Sequence, residues 1–313
     1  MQQPVLLIHG IAMRREQKVD EYAQALESQL GGGYRLLPIF WGDLGADDTY
    51  LHKVIGRHDS RSDGFWEMLQ DSLVRPVMRG SGKARAWVET QRGEHRRSEA
   101  ISERSRRVSS SARRRVRGYL GDKFQDARLW LTQQSLPFTA DVIVYQSHSY
   151  RQKIQQRIRE VIDRELGQDV GRSGSPVKVI AHSLGGVAAF DMAQLAEDPL
   201  HIDTFVTLGS QPALFHLLDP REGLAAYEED KPVTLPDTIA HWTNVWDEYD
   251  LLAFAAGEVF RLHDGQRPID IAVRTTRSRL KGAAMMRSHL RYFGSRDTGK
   301  IVRAALDGSE INE

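Results

Sequence analysis

The sequence contains no cysteine, which excludes disulfide scaffolds, zinc–thiolate and iron–sulfur centres, and thiol nucleophiles. It also lacks any apolar run near the ~20 residues that a bilayer-spanning helix needs. The most apolar stretch, Leu251 to Phe260, is too short and is interrupted by Glu258. At the N-terminus, Met1-Gln2-Gln3-Pro4 leads directly into Val5-Leu6-Leu7-Ile8. There is neither a basic leader region nor a small-residue cleavage site, so no signal peptide is expected and a cytoplasmic location is. No repeat with a period of 20 to 50 residues is visible.

What is present is an ordinary globular composition with an unusual distribution of charge. Hydrophobic residues make up 40% of 313, enough to bury a sizeable core. Lys and Arg number 43 against 42 Asp and Glu, a formal net charge of +1. Residues 75–117 alone carry fourteen Lys or Arg against four Glu, a local +10 that leaves −9 for the rest. Neutrality here is a cancellation between a basic segment and an acidic body.

The hydrophobic pattern alternates between strand and helix. Val5 to Ile8 reads as a strand buried on both faces, closed by His9-Gly10. Val19, Tyr22, Ala23, Leu26 and Leu30 mark one face of a helix, and 34–41 gives a second strand. This β-α-β start favours a parallel sheet with right-handed crossovers. The rhythm stops over 42–140, read as an inserted, partly mobile helical cap or lid. It resumes with a strand at Val142-Ile143-Val144-Tyr145 and a helix through Ile154, Ile158, Val161, Ile162 and Leu166. Further strands are expected at 177–181, 204–208, 239–246 and 269–273, and helices at 185–196 and 298–306. The stretch 209–237, with four prolines, reads as irregular, and a short helical segment is expected after 246. The division is thus a catalytic body, 1–41 with 141–313, and an insertion, 42–140.

The chemistry concentrates where a strand ends at Ala181-His182-Ser183-Leu184-Gly185 and a helix begins. A strand-to-helix turn of this kind strains the serine and holds its Oγ above the end of the sheet, while small residues two positions either side let strand and helix approach. The pattern small-x-Ser-x-Gly is common by itself, and its weight comes from that context. The N–H of Leu184, at a helix N-terminus, suits a developing oxyanion. A second donor is expected after the first strand, from Ile11 or alternatively Ala12, with Gly10 allowing the turn. His9 reads as structural, and Arg14 either as a pocket residue or as solvent-facing.

On these segments the chain resembles an α/β-hydrolase of the serine esterase/lipase family. Within it, the chain is similar to bacterial hydrolases that share His9-Gly10-Ile11, Trp41-Gly42-Asp43-Leu44, Asp141-Val142-Ile143-Val144-Tyr145 and the elbow Ala181 to Gly185. The family's glycine after His-Gly-Ile is Ala12 here. The resemblance implies a three-layer α/β fold, mostly parallel, with helices on both faces of the sheet. It also implies a triad in the order Ser, acid, His. Ser183 is the implied nucleophile. The implied acid follows the 239–246 strand and is Asp250, with apolar Leu251 and Leu252 behind it, or alternatively Asp247. The implied histidine is His289, in Ser288-His289-Leu290-Arg291-Tyr292-Phe293, whereas His263 precedes the last strand. The remaining histidines show no metal-ligand spacing, so neither a metal nor another cofactor is expected.

The expected reaction is cleavage of a small-molecule or lipid carboxylic ester through an acyl-enzyme. The same triad also serves thioesterases, amidases, peptidases and acyltransferases. Residues 75–117 read either as a solvated loop or as a patch for an anionic membrane, which would make the enzyme a lipase or phospholipase. Trp87 is the only aromatic there, so a stacking platform for nucleic acid is not expected. A non-catalytic interaction protein on a hydrolase scaffold is the remaining alternative.

Overall fold

The computed structural model describes residues 2–10, 13–46, 140–229, 231–275 and 288–309. Most of the expected cap, the whole basic segment 75–117, and Ile11 and Ala12 lie outside the described residues. The fold is α/β. Strand β1 (Gln3–Ile8) leads to helix α1 (Glu16–Leu30) and β2 (Tyr34–Ile39), then to a 3₁₀ turn at Gly42–Leu44. After helical residues 140–146 come α2 (His148–Glu165), β3 (Val177–His182), α3 (Leu184–Ala193), β4 (Ile202–Leu208) and α4 (Pro212–Leu218). The chain closes with β5 (Val233–Thr234), β6 (Ile239–Asp247), β7 (Phe260–Arg261), β8 (Ile269–Val273) and α5 (Arg296–Asp307).

Six strands form one sheet in the order β2-β1-β3-β4-β6-β8, and every pairing in it is parallel. Strand residues alternate between two apolar clusters, because successive side chains leave a strand on opposite faces. Leu6, Ile8 and Val179 pack with Ile154 and Ile158 of α2 and Val187 of α3. Their neighbours Val5, Leu7 and Ile180 pack with Leu26 and Leu30 of α1 and Val302 and Leu306 of α5. Burial on both faces explains why these strands are continuous apolar runs instead of alternating ones. Helix α3 is buried at all ten positions, so its sequence, Leu-Gly-Gly-Val-Ala-Ala-Phe-Asp-Met-Ala, shows almost no polar face.

Parallel register lines up the carboxyl ends of the strands. Ile8 lies opposite Ala181, His182 opposite Leu208, and Asp247 opposite Val273. The chain turns from β1 to β2 on one side and later adds β3 on the other, so the order reverses at β1. Open α/β sheets bind ligands in the crevice at such a reversal, beyond the carboxyl ends.

Three local expectations fail. Residues 142–145 are helical, not a strand: Asp141 and Tyr145, four apart, are the buried positions, while Ile143 is exposed. A short β-branched run does not separate the two states by itself, and here the helical period of the polar anchors prevails. Within 209–237, α4 forms with Pro212 in its first turn, where a missing N–H costs nothing. After β6 the chain runs through turns instead of a helix. Among the described residues no helix is long and apolar enough to cross a membrane.

Candidate active site

Ser183 sits between the last residue of β3 and the first of α3 with φ 54° and ψ −132°. That backbone region is strained for any residue with a Cβ. Surrounding bonds hold it there: the Ser183 N–H donates to the Leu208 carbonyl at 3.0 Å, and the Ser183 carbonyl accepts from Gly186 N at 3.0 Å and Ser210 Oγ at 2.7 Å. The neighbouring glycines are steric necessities. A Cβ on Gly10 would stand 2.5 Å from Ser183 Cβ, and one on Gly185 would strike the His9 and Ile8 carbonyls. The end of β1 is therefore pressed against the serine, and nothing larger than hydrogen fits between them.

Leu184 opens α3 and is buried, so its N–H is among the amides that have no acceptor within the helix. The Ser183 Oγ is buried and makes no hydrogen bond with the described residues. A buried hydroxyl with no partner is costly to stability, and this one lies on a strained turn at the sheet's carboxyl edge.

Both candidate carboxylates are buried, Asp247 as the last residue of β6 and Asp250 just beyond it, and they do different things. Asp250 Oδ2 accepts from His289 Nδ1 at 2.8 Å and from the Tyr292 hydroxyl at 2.9 Å, while its Oδ1 accepts from Leu252 N at 3.0 Å. Asp247 Oδ2 accepts from the N–H and the hydroxyl of Thr275, both at 2.6 Å, and its Oδ1 accepts from Tyr249 N at 2.9 Å. Only Asp250 reaches the imidazole. Asp247 instead ties Thr275, two residues beyond β8, to the end of β6. Because a carboxylate accepts, His289 donates to it through a proton on Nδ1.

Tyr292 links the two acids, since its hydroxyl donates to Asp250 and accepts from Asp247 N at 3.0 Å. Burial, then the Asp250 charge, raises its pKa far above the ordinary phenol value. It is a fixed donor. The segment carrying His289 is fastened to the elbow as well, because His182 Nε2 lies 2.6 Å from the His289 carbonyl. Neither Tyr292 nor His182 was singled out as a working residue from sequence. The signals were a tyrosine three residues after the histidine and a polar ring at the buried end of an apolar strand.

His9 is structural, as expected. Trp41 N donates to its Nε2 at 3.1 Å, so its proton is on Nδ1 and is given to the Gly10 carbonyl at 2.5 Å. Its ring is stacked on Trp41 at 4.9 Å. Burial lowers its pKa to about 4. Arg14 binds Asp141 in bidentate fashion at 2.7 and 2.8 Å, and Asp141 also accepts from Ala46 N at 2.8 Å. That clasp brings together residues 46 and 141, on either side of the stretch 47–139. Among the described residues no cluster of His, Asp and Glu is arranged to hold a metal ion. Comparison with protein-family models gives no match, and comparison with curated proteins gives none either.

Proposed function

We propose that the chain is a serine hydrolase of the α/β-hydrolase type that cleaves carboxylic esters through an acyl-enzyme. The observation that carries this reading is the Asp250–His289 pair at 2.8 Å, tied through His182 to a strained Ser183 whose hydroxyl makes no hydrogen bond with the described residues. Ser183 Oγ attacks the ester carbonyl as His289 Nε2 takes its proton, and Asp250 stabilises the imidazolium. The tetrahedral oxyanion is held by the N–H of Leu184 and a second donor, Ile11, from the loop that leaves Gly10. Collapse expels the alcohol, which receives the proton from His289. Water, activated by the same imidazole, then releases the acid. The serine–histidine hydrogen bond, absent at rest, closes when substrate arrives, as is common for catalytic contacts.

In this reading residues 1–41 and 141–313 are the three-layer catalytic domain and 42–140 an inserted cap, in a cytoplasmic enzyme. The local +10 of 75–117 favours a second reading, a lipase or phospholipase drawn to anionic membranes. Labelling with a fluorophosphonate probe tests the first. Wild-type protein is expected to react and Ser183→Ala to be inert, with turnover down by about 10⁵-fold or more and the fold retained. Full activity in Ser183→Ala would remove the hydrolase reading. A p-nitrophenyl ester series with and without anionic vesicles tests the second. A preference for short acyl chains that vesicles leave unchanged would sink the membrane reading.

A further inference from the structure

We infer that His182 is a positioning residue for the base: its imidazole donates to the His289 carbonyl and so fixes the His289 main chain relative to Ser183. The inference rests on the reading of Ser183 and His289 as nucleophile and base. His182 is the last residue of β3 and directly precedes the serine. A carbonyl can only accept, so the 2.6 Å contact identifies Nε2 as the protonated nitrogen. The ring packs against the segment it holds, with centroids 4.6 Å from His289 and 5.0 Å from Phe293.

A purely structural role does not account for this histidine. It is 1% exposed at the end of the strand Val-Lys-Val-Ile-Ala-His, and burial, then the neighbouring His289, pushes its pKa well below the ordinary value. Its Nδ1 is buried without a hydrogen-bond partner among the described residues. Leaving such an acceptor unmet costs stability, whereas an apolar ring would fill the same space without that cost. The return lies in geometry. Asp250 grips the His289 side chain at Nδ1, and His182 grips its main chain. With both held, the separation of base and nucleophile is set by two consecutive residues, 182 and 183, of which the second is itself locked by its backbone bonds. Misplacing a catalytic group by about 1 Å costs up to ~100-fold in rate.

The test compares His182→Phe, which keeps a ring and loses the donor, with His182→Gln, whose side-chain amide can place an N–H near the same point. Fluorophosphonate labelling rate, kcat and KM for a p-nitrophenyl ester, and the thermal unfolding transition are measured for each. His182→Phe is expected to lose about 30-fold in kcat and in labelling rate, with KM within about twofold and a cooperative transition retained. His182→Gln is expected to recover most of that loss. Should the Phe variant fail to fold, His182→Asn replaces it, because its shorter side chain falls short of the carbonyl and should be slow where Gln is fast. Full kcat in the Phe or Asn variant, or equal impairment of Gln and its comparison variant, overturns the inference. If wild-type protein is not labelled at all, the hydrolase reading fails. If wild-type and His182→Phe are labelled equally fast, only the role of His182 does.

Discussion

Two buried carboxylate networks are built from similar parts, one around Asp191 of helix α3 and one around Asp250 after β6. In the rear network, Asp191 accepts from the Tyr145 hydroxyl at 2.8 Å and from Arg221 Nε and Nη2 at 2.8 and 2.7 Å. In the front network, Asp250 accepts from the Tyr292 hydroxyl, His289 Nδ1 and a backbone amide. Each acid has a phenol and a nitrogen donor, and each is almost wholly buried. The difference lies in the nitrogen partner and in what stands beside it. Arg221 has a permanent charge and exchanges no proton, so the rear network is a fixed ion pair. A histidine, unlike an arginine, can change its charge, and the strained Ser183, which follows the His182 that bonds the His289 carbonyl, has a hydroxyl with no hydrogen bond among the described residues. A buried carboxylate therefore indicates chemistry only when its partner can change charge and a neighbour has a bond left to make.

The sharpest way to break the comparison is at the front acid. Asp250→Asn forces the wrong hydrogen-bonding pattern on His289 and is expected to lower kcat by about 10⁴. Asp247→Asn touches only the Thr275 and Tyr249 bonds. It should keep the rate within about tenfold while losing about 1–3 kcal/mol of stability. Steady-state kinetics with urea unfolding decides between them, and a reversed pair of results would make Asp247 the acid.

The rear network should answer in the other currency. Asp191→Ala leaves the Arg221 charge and the Tyr145 hydroxyl buried and unmatched, which costs about 3–5 kcal/mol of stability. Activity per folded molecule, obtained by titrating active sites with the fluorophosphonate, should stay within about twofold. Loss of turnover in folded Asp191→Ala protein would mean that the two networks are coupled through α3.

Acid should separate the regions more gently. His9 is held neutral by burial, with a pKa of about 4 against 6.5 for an ordinary histidine. The unfolded chain therefore binds the extra proton first as pH falls, so stability is full above 6.5 and declines toward 4. By pH 5 the loss from His9 alone is about 2 kcal/mol. The downward shift of His182 acts in the same direction. Urea midpoints at pH 7 and 5 measure the loss. His9→Asn, which retains a donor for the Gly10 carbonyl, should flatten it, and an unchanged pH dependence in that variant would place the sensitivity elsewhere.

How much of this was legible in the sequence follows from how local each signal is. The elbow could be read because strand, serine and helix are contiguous, and the limits of β8 match the expected 269–273. The preference for Asp250 rested on the two leucines behind it, and the geometry does pair it with His289, although one of those leucines, Leu251, is exposed. The roles of Asp247, Tyr292 and His182 were not legible, since each depends on a partner 28 to 107 residues away. The rear network was invisible for the same reason. Tyr145 was assigned to a strand, and nothing near Asp191 in sequence announces Arg221, 30 residues on. Hydrophobic period reports which face is buried, but it does not report which polar group is waiting there.

The smallest expected effect isolates the strain on which the front region depends. Ser183→Ala and Ser183→Gly both remove the hydroxyl, so any difference between them belongs to the backbone. Alanine keeps the Cβ that makes φ 54°, ψ −132° unfavourable, at a cost of about 1–3 kcal/mol. Glycine escapes that penalty but gives back about 0.5–1 kcal/mol through its freer unfolded chain. Ser183→Gly should therefore be more stable than Ser183→Ala by about 1 kcal/mol, a few degrees in melting temperature for a domain of this size. Equal stability would show that the elbow holds no strain, and the serine would then owe its exposure to reaction only to the hydrogen bonds around it. A gain in the glycine variant would show that the molecule forgoes stability at the one residue proposed as its nucleophile.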